Sequence, residues 1–375
     1  KTDGSQTFGQ SMKIGILTFH CACNYGAVLQ CYALQEYLSS CGHDVKVIDY
    51  RPASVTGGYR WFDIRRFWGA TPCRFYSKTK KELSVIRARK FRYSAFARFV
   101  ESRLPLTPRV CNERDAGALA GGFDMVIVGS DQVWNPRITG GIDPMYWGDF
   151  DHGHSSIISY AASMEDGFSS QVEEAVRKYL PSFKAISVRE DQLRDSITSV
   201  LPSSEVATVV DPVLLLTSSQ WDRLPEGKMP EYPYLLYYQV RRSPKAYEIA
   251  QTEARRMGLE LVCLSAKVEL ENSDEVISSS PEDFVSLFRN ASFVVTTSFH
   301  GTAFSVLFHK EFVCVDVADG KGSRQRHLLE GLGLSDRIVS TIPEYPMPSV
   351  EWQDVERRLD VMRQTSIDFL KSSGL

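Results

Sequence analysis

At 375 residues the chain is longer than a single hydrophobic core usually grows, so two domains are expected. A formal net charge of -3 with 24% charged residues names no partner by itself, and no nucleic-acid ligand is expected. Eight cysteines scattered over the whole length do not form the dense framework of a small secreted domain, which argues against an oxidising compartment.

Residues 1–11 are polar and without pattern, and Met12 directly precedes the first strand-like run, so this leader is expected to be disordered or an addition to the natural chain. From there β-branched runs alternate with stretches of helical period, the signature of parallel sheets covered on both faces. Residues 13–18 read as a strand, Ala27, Cys31, Leu34 and Leu38 recur along one helix face, Gly42 supplies a stop, and residues 45–50 form the next strand. Further strands are expected at 125–129, 157–161, 185–188 and 206–210, completing a first Rossmann-like domain over residues 12–215. Pro212, Pro225, Pro230 and Pro233 then interrupt the periodicity and mark the passage to a second domain.

The pattern restarts with a strand at 234–240, a helix ending near Gly258, a strand at 259–265, a helix opened by Ser280, Pro281 and Asp283, and strands at 293–297 and 312–316. This second Rossmann-like domain is expected over residues 216–345. An amphipathic terminal helix follows over 346–375, with Trp352, Val355, Leu359 and Met362 on one side. No apolar run approaches the roughly 20 residues that cross a bilayer, so a cytoplasmic protein is expected.

A basic insertion over residues 57–105 breaks the even charge balance. Between residues 60 and 103, thirteen Lys or Arg stand against three acids (Asp63, Glu82, Glu101), interleaved with Trp61, Phe62, Phe67, Trp68, Phe75 and Tyr76. Such a stretch suits peripheral contact with an anionic membrane, or equally a solvated helix with buried aromatics.

Parallel sheets bind ligands beyond the carboxyl ends of their strands, which directs attention to five loops. The first carries Cys21, Cys23, Asn24, Tyr25 and Gly26. It places Asn24 to cap a helix and lacks the spacing of a dinucleotide fingerprint, while the close cysteine pair has no second pair to complete a metal site. The second carries Ser130, Asp131 and Gln132, a run that suits sugar hydroxyls or a general base and suits turn chemistry as well. The third places Arg189 where a strand meets a helix, able to fork onto an anion or to pair with Glu190, Asp191 or Asp211. The fourth, from Thr296 to Thr302, sets Ser298, His300 and Gly301 at a helix start, where unpaired amides attract phosphate. The fifth gathers Lys321, Arg324, Arg326 and His327 before another helix.

In this order the loops resemble those of the polysaccharide pyruvyl transferase family. The resemblance rests on Asn24-Tyr25-Gly26-Ala27, on Val128-Gly129-Ser130-Asp131-Gln132-Val133-Trp134-Asn135, on Val188-Arg189, on Asp211-Pro212 and on Ser298-Phe299-His300-Gly301-Thr302, and it spans residues 12–335. It implies two Rossmann-like domains in a glycosyltransferase-B-like arrangement, phosphoenolpyruvate as donor substrate with no further cofactor or metal, and a ketal formed on two hydroxyls of one sugar. The acceptor expected is a sugar or oligosaccharide, free or lipid-linked. Arg189, Ser298, His300, Gly301 and Arg324 fall on the donor side; His300 and Asp131 are the expected catalytic groups; Asn24, Tyr25, Gly26, Ser130 and Gln132 belong to the acceptor side or the cleft. One departure stands out: many members carry Arg-Leu-His where this chain has Ser298-Phe299-His300. Either Arg324, Arg326 or Lys321 supplies the absent cation, or the donor differs. A nucleotide-sugar glycosyltransferase and a non-catalytic carbohydrate-binding relative are the alternatives.

Overall fold

The short aliphatic runs are buried on both faces and become the strands of two wholly parallel sheets. The computed structural model describes residues 11–57, 72–165, 167–240, 242–266, 276–277, 279–316, 323–344 and 347–375, without the side chains of 72–85, 276–277 and 323. Residues 1–10, Trp61, Phe62, Phe67, Trp68 and Lys321 of the expected features lie outside the described residues, as do the side chains of Phe75 and Tyr76.

The first domain runs β1 (Lys13–Leu17), α1 (Tyr25–Ser40), β2 (Asp44–Val47), α2 (Ala53–Thr56), α3 (Pro72–Arg103), α4 (Glu113–Ala120), β3 (Met125–Val128), α5 (Pro136–Thr139), β4 (Ser156–Ala162), α6 (Ser170–Tyr179), β5 (Ala185–Val188), α7 (Asp191–Val200) and β6 (Val206–Thr208). The second runs β7 (Tyr234–Gln239), α8 (Pro244–Met257), β8 (Glu260–Ser265), β9 (Val276–Ile277), α9 (Pro281–Asn290), β10 (Phe293–Thr296), α10 (Phe299–Leu307), β11 (Phe312–Val315), α11 (Ser323–Gly331) and β12 (Ile338–Val339), and α12 (Trp352–Ser372) closes the chain.

Strand order places the functional loops. The first sheet is ordered β2-β1-β3-β4-β5-β6 and the second β12-β11-β10-β7-β8-β9. Chain direction across each sheet therefore reverses between β1 and β3 and between β7 and β10. Crevices open at such points, beyond the carboxyl ends of the strands. The loops after β1, β3, β7 and β10 contribute Asn24, Asp131, Gln132, Val240, Thr297 and Ser298 to one shared cavity. Two Rossmann-like domains thus face each other across a cleft in a glycosyltransferase-B-like arrangement.

The two halves share one hydrophobic core. Alternate residues of β1 and β3 (Ile14, Ile16, Met125, Ile127) pack in the same cluster as Leu236, Phe284, Phe304 and Leu359 from the second half. Tyr25, the first residue of α1, is fully buried in that seam, stacked on Phe284 with ring centroids 4.6 Å apart, and its hydroxyl donates to the Ser279 carbonyl at 2.9 Å. It therefore serves domain docking and is closed to an acceptor, a correction to its expected place on the cleft.

Helix α3 reinforces this seam. Arg92 is 1% exposed, donates to the Ser265 carbonyl at 2.6 Å and lies over the Tyr25 ring, while Phe96 and Phe99 enter the core. The carboxyl-terminal half of the basic helix is thus split between an inner face that joins the domains and an outer face bearing Arg87, Lys90, Phe91 and Arg98. Helix α12 returns to the first half, where Ser366 Oγ accepts from the Val210 amide at 2.9 Å and Arg363 donates to the Leu214 carbonyl at 2.7 Å.

Removing the Tyr25 ring empties a closely packed site. Tyr25→Ala should cost about 3–5 kcal/mol in urea unfolding, and Tyr25→Phe about 1 kcal/mol for the lost hydrogen bond. Unfolding of Tyr25→Ala at the wild-type urea midpoint would remove this residue from domain docking.

Candidate active site

The amino terminus of α10 forms one wall of the cleft. Ser298 caps it, its hydroxyl accepting from the Gly301 amide at 3.4 Å while its own amide donates to Thr296 Oγ1 at 3.1 Å. The amides of Phe299 and His300 precede the ladder of the helix and present partial positive charge toward the cavity. An arginine at position 298 could not make this cap, so the serine gives the helix a defined start.

Two glycines set close approaches. A Cβ on Gly301 would lie 2.2 Å from Thr296 Oγ1, so this glycine permits close packing of α10 on its own sheet. A Cβ on Gly26 would lie 2.1 Å from His300 Nδ1. Gly26 therefore lets α1 of the first domain pass directly beneath the His300 ring of the second.

His300 is held from behind by a buried ionic chain. Its Nε2 lies 3.5 Å from Asp211 Oδ2, long for a hydrogen bond, and the same oxygen is 2.5 Å from Arg189 Nη1. Arg189 is 3% exposed, lies 3.8 Å from Glu190 Oε2 and packs its guanidinium 4.6 Å from the centre of the Phe299 ring. Burial alone would raise the Asp211 carboxyl; the charges of His300 and Arg189 and the Val213 amide outweigh it and hold the group well below the usual carboxylate range. Arg189 does not reach the cleft cavity but lines a separate one of about 170 Å³ behind Phe299. Asp211 stands between it and His300, which lines the cleft.

The cleft cavity itself measures about 140 Å³. From the first domain Asn24, Asp131, Gln132 and Glu165 line it; from the second come Ser298, His300, Asp316, Arg324, Gln325 and Arg326. Asp131 has a left-handed backbone (φ 75°), and its Oδ1 accepts from the Gln132 amide at 2.9 Å. Gln132 Oε1 in turn accepts from Asn135 at 2.9 Å. Ser130 is fully buried, donating to the Ala161 carbonyl at 2.9 Å and lying 3.4 Å from Asp211 Oδ2, which withdraws it from the expected acceptor side. Asn24 lines the cleft and caps α1 through the Ala27 amide.

Behind that loop His20 Nε2 sits 2.8 Å from Asp49 Oδ1. Burial pushes the Asp49 carboxyl up, but hydrogen bonds from His20 and Arg51 bring it to about 2. Cys21 and Cys23 are packing thiols raised by burial to about 11 and about 12, Arg51 and Arg92 respectively opposing the shift.

Arg324 reaches the cavity from α11, and its Nη2 lies 3.2 Å from Glu165 Oε1 of the opposite domain. Glu165 was absent from the residues singled out in the sequence. Its position three residues past the end of β4 is the signal that would have found it, because that loop also leaves a carboxyl strand end.

The sequence profile described as "Polysaccharide pyruvyl transferase" matches residues 24–319. The chain belongs to that family. No curated protein matches it. Solved structures similar to this pyruvyl transferase family member include an alpha-glucosyltransferase in complex with UDP and DNA, at 10% identity and TM-score 0.47, covering 96% of this chain and 95% of that one. MnaA of S. aureus with UDP aligns at 13% identity and TM-score 0.45, covering 94% and 91%. A putative UDP-N-acetylglucosamine 2-epimerase from Listeria monocytogenes aligns at 7% identity and TM-score 0.45, covering 95% and 91%.

The Asp211 charge can be tested by pH. A carboxyl whose folded value is depressed stabilises the protein above its unfolded value, 3.8, and loses that contribution as pH falls toward the folded value. Asp211→Asn leaves Arg189 without its main partner and should cost about 3–5 kcal/mol near pH 7. The gap between variant and wild type in urea unfolding should narrow below about pH 4; a gap constant from pH 7 to pH 3 would contradict the ionic chain.

Proposed function

We propose that this protein transfers pyruvate from phosphoenolpyruvate to two hydroxyls of one sugar, in a polysaccharide or its precursor, and forms a cyclic ketal. The observation that carries this reading is the convergence of the α10 amino terminus, His300 and Arg324 on one cavity of about 140 Å³. Sites for larger ligands usually span about 300–1,000 Å³, so the cavity suits a small, doubly anionic donor better than a nucleotide sugar.

The chemistry requires three things of the chain. It must hold a phosphate and a carboxylate, deliver a proton to the methylene carbon, and accept protons from the attacking hydroxyls. Helix amides and Arg324 meet the first need. His300, backed by Asp211 and Arg189, is placed to contact the phosphate or to deliver the proton. Asp131 faces the same cavity from the first domain and is the proposed base on the acceptor side. Protonation makes an oxocarbenium-like carbon, one hydroxyl attacks it, phosphate departs, and the neighbouring hydroxyl closes the ring. The methyl group gains one proton and the departing phosphate the other.

Among the described residues no helix is long and apolar enough to cross a membrane. The proposed setting is the cytoplasm, where phosphoenolpyruvate is available. The outer face of α3 would rest on anionic lipid beside a lipid-linked acceptor: Arg87, Lys90 and Arg98 are exposed there, and Phe91 is 40% exposed between them. Liposomes containing anionic lipid should retain more protein than neutral ones at low salt and lose it as salt rises. Equal retention on both would remove the membrane from the proposal.

Donor identity is tested by thermal shift. Phosphoenolpyruvate should raise the melting temperature and nucleotide sugars should not. Arg324→Ala should weaken phosphoenolpyruvate binding by about 2–4 kcal/mol, and Arg324→Lys should recover part of this, since a point charge cannot reproduce a forked contact. A shift with a nucleotide sugar and none with phosphoenolpyruvate would overturn the reading in favour of glycosyl transfer.

A further inference from the structure

Among the described residues, both arginines that line the cleft already have carboxylate partners. Arg326 Nη2 lies 2.9 Å from Asp316, a pair within the second domain whose side chains are 50% and 32% exposed. Arg324 and Glu165 differ in kind, for they join α11 to the loop after β4 across the cleft, and their side chains are only 12% and 10% exposed. A pair so enclosed is little screened by salt.

The contact is also incomplete. Nη2 of Arg324 meets one oxygen of Glu165, while Nε of Arg324 is buried without a hydrogen-bond partner among the described residues. A guanidinium offers a planar fork that fits two oxygens of a carboxylate or phosphate at once. Here part of that fork is enclosed and unpaired on a residue that lines the cavity.

We propose that Glu165 is a specificity-determining residue that occupies, on Arg324, the place of the donor's own anionic group. An incoming phosphate or carboxylate displaces it and takes up the fork more completely. This inference rests on reading the cleft as an anion site, and it adds to that reading a competitor carried by the chain. The Glu165 amide donates to Gln132 Oε1 at 3.4 Å, a backbone contact that displacement of the carboxylate does not break.

The consequence is selectivity. Arg324 is released only to an anion that binds it better than one carboxylate oxygen does, so chloride or a small monoanion gains little. If Glu165 holds Arg324 for about nine-tenths of the time, the apparent dissociation constant of the donor is raised about tenfold.

Calorimetric titration of the full chain with inorganic phosphate and, separately, with phosphoenolpyruvate tests this. Glu165→Gln should bind both about tenfold more tightly, and Glu165→Asp, whose carboxylate reaches less far, should show a smaller gain in the same direction. In an Arg324→Ala background neither substitution should change binding. Unchanged or weaker binding in Glu165→Gln, or a gain that persists without Arg324, overturns the proposal; a purely structural latch would lower the melting temperature without tightening either ligand. The phosphate arm separates this inference from donor identity. Tighter phosphate binding with no phosphoenolpyruvate binding would retain Glu165 as competitor and remove phosphoenolpyruvate as donor.

Discussion

A buried carboxylate must be paired, and in this protein the partners of Asp211 come from both domains. Oδ2 of Asp211 meets Arg189 at the end of β5 and His300 in the first turn of α10. Taking these charges out of water costs several kcal/mol each, and only their mutual attraction makes the arrangement tolerable. Sliding the amino terminus of α10 over the first domain would draw His300 away from Asp211 Oδ2 and leave that oxygen to Arg189 alone. Gly26 fixes the same contact from below, because any side chain there would occupy the position of the His300 ring.

From that fixed contact the cleft divides its duties between the domains. The first supplies oxygen and amide side chains, Asp131, Gln132, Asn24 and Glu165; the second supplies helix amides, His300, Arg324 and Arg326 together with Asp316 and Gln325. The loop that carries Asp131 is held in uncommon backbone conformations, with Gly129 at φ 111° and Asp131 at φ 75°, opposite Ala161 at φ 48°. Residues other than glycine persist in that region only where their surroundings determine it, a frequent property of functional loops. At Ser298 a capping hydroxyl starts α10, and Arg324 enters the cleft from α11.

Much of this was legible in the sequence because the strands are short, apolar and separated by well-marked caps. Asn24, Ser280 and Ser298 all cap helices, and the strand-end rule led directly to the loops of Asp131 and His300. What escaped was long-range. β9 and β12 are two-residue edge strands, too brief to leave a periodic trace. Tyr25 reads locally as a loop aromatic, yet its ring stacks on Phe284, far along the chain. Arg189 left two readings open in the sequence, fork or ion pair, and its burial beside Asp211 shows the pair, which no local pattern could decide.

The chain passes between the halves twice, once through the segment joining β6 to β7 and again where α12 returns to lie against Val210 and Leu214. A body attached at one point can swivel, whereas one attached at two separated points has a preferred axis through both. Any opening of the cleft is therefore biased toward rotation about a single axis, like a door on two pins.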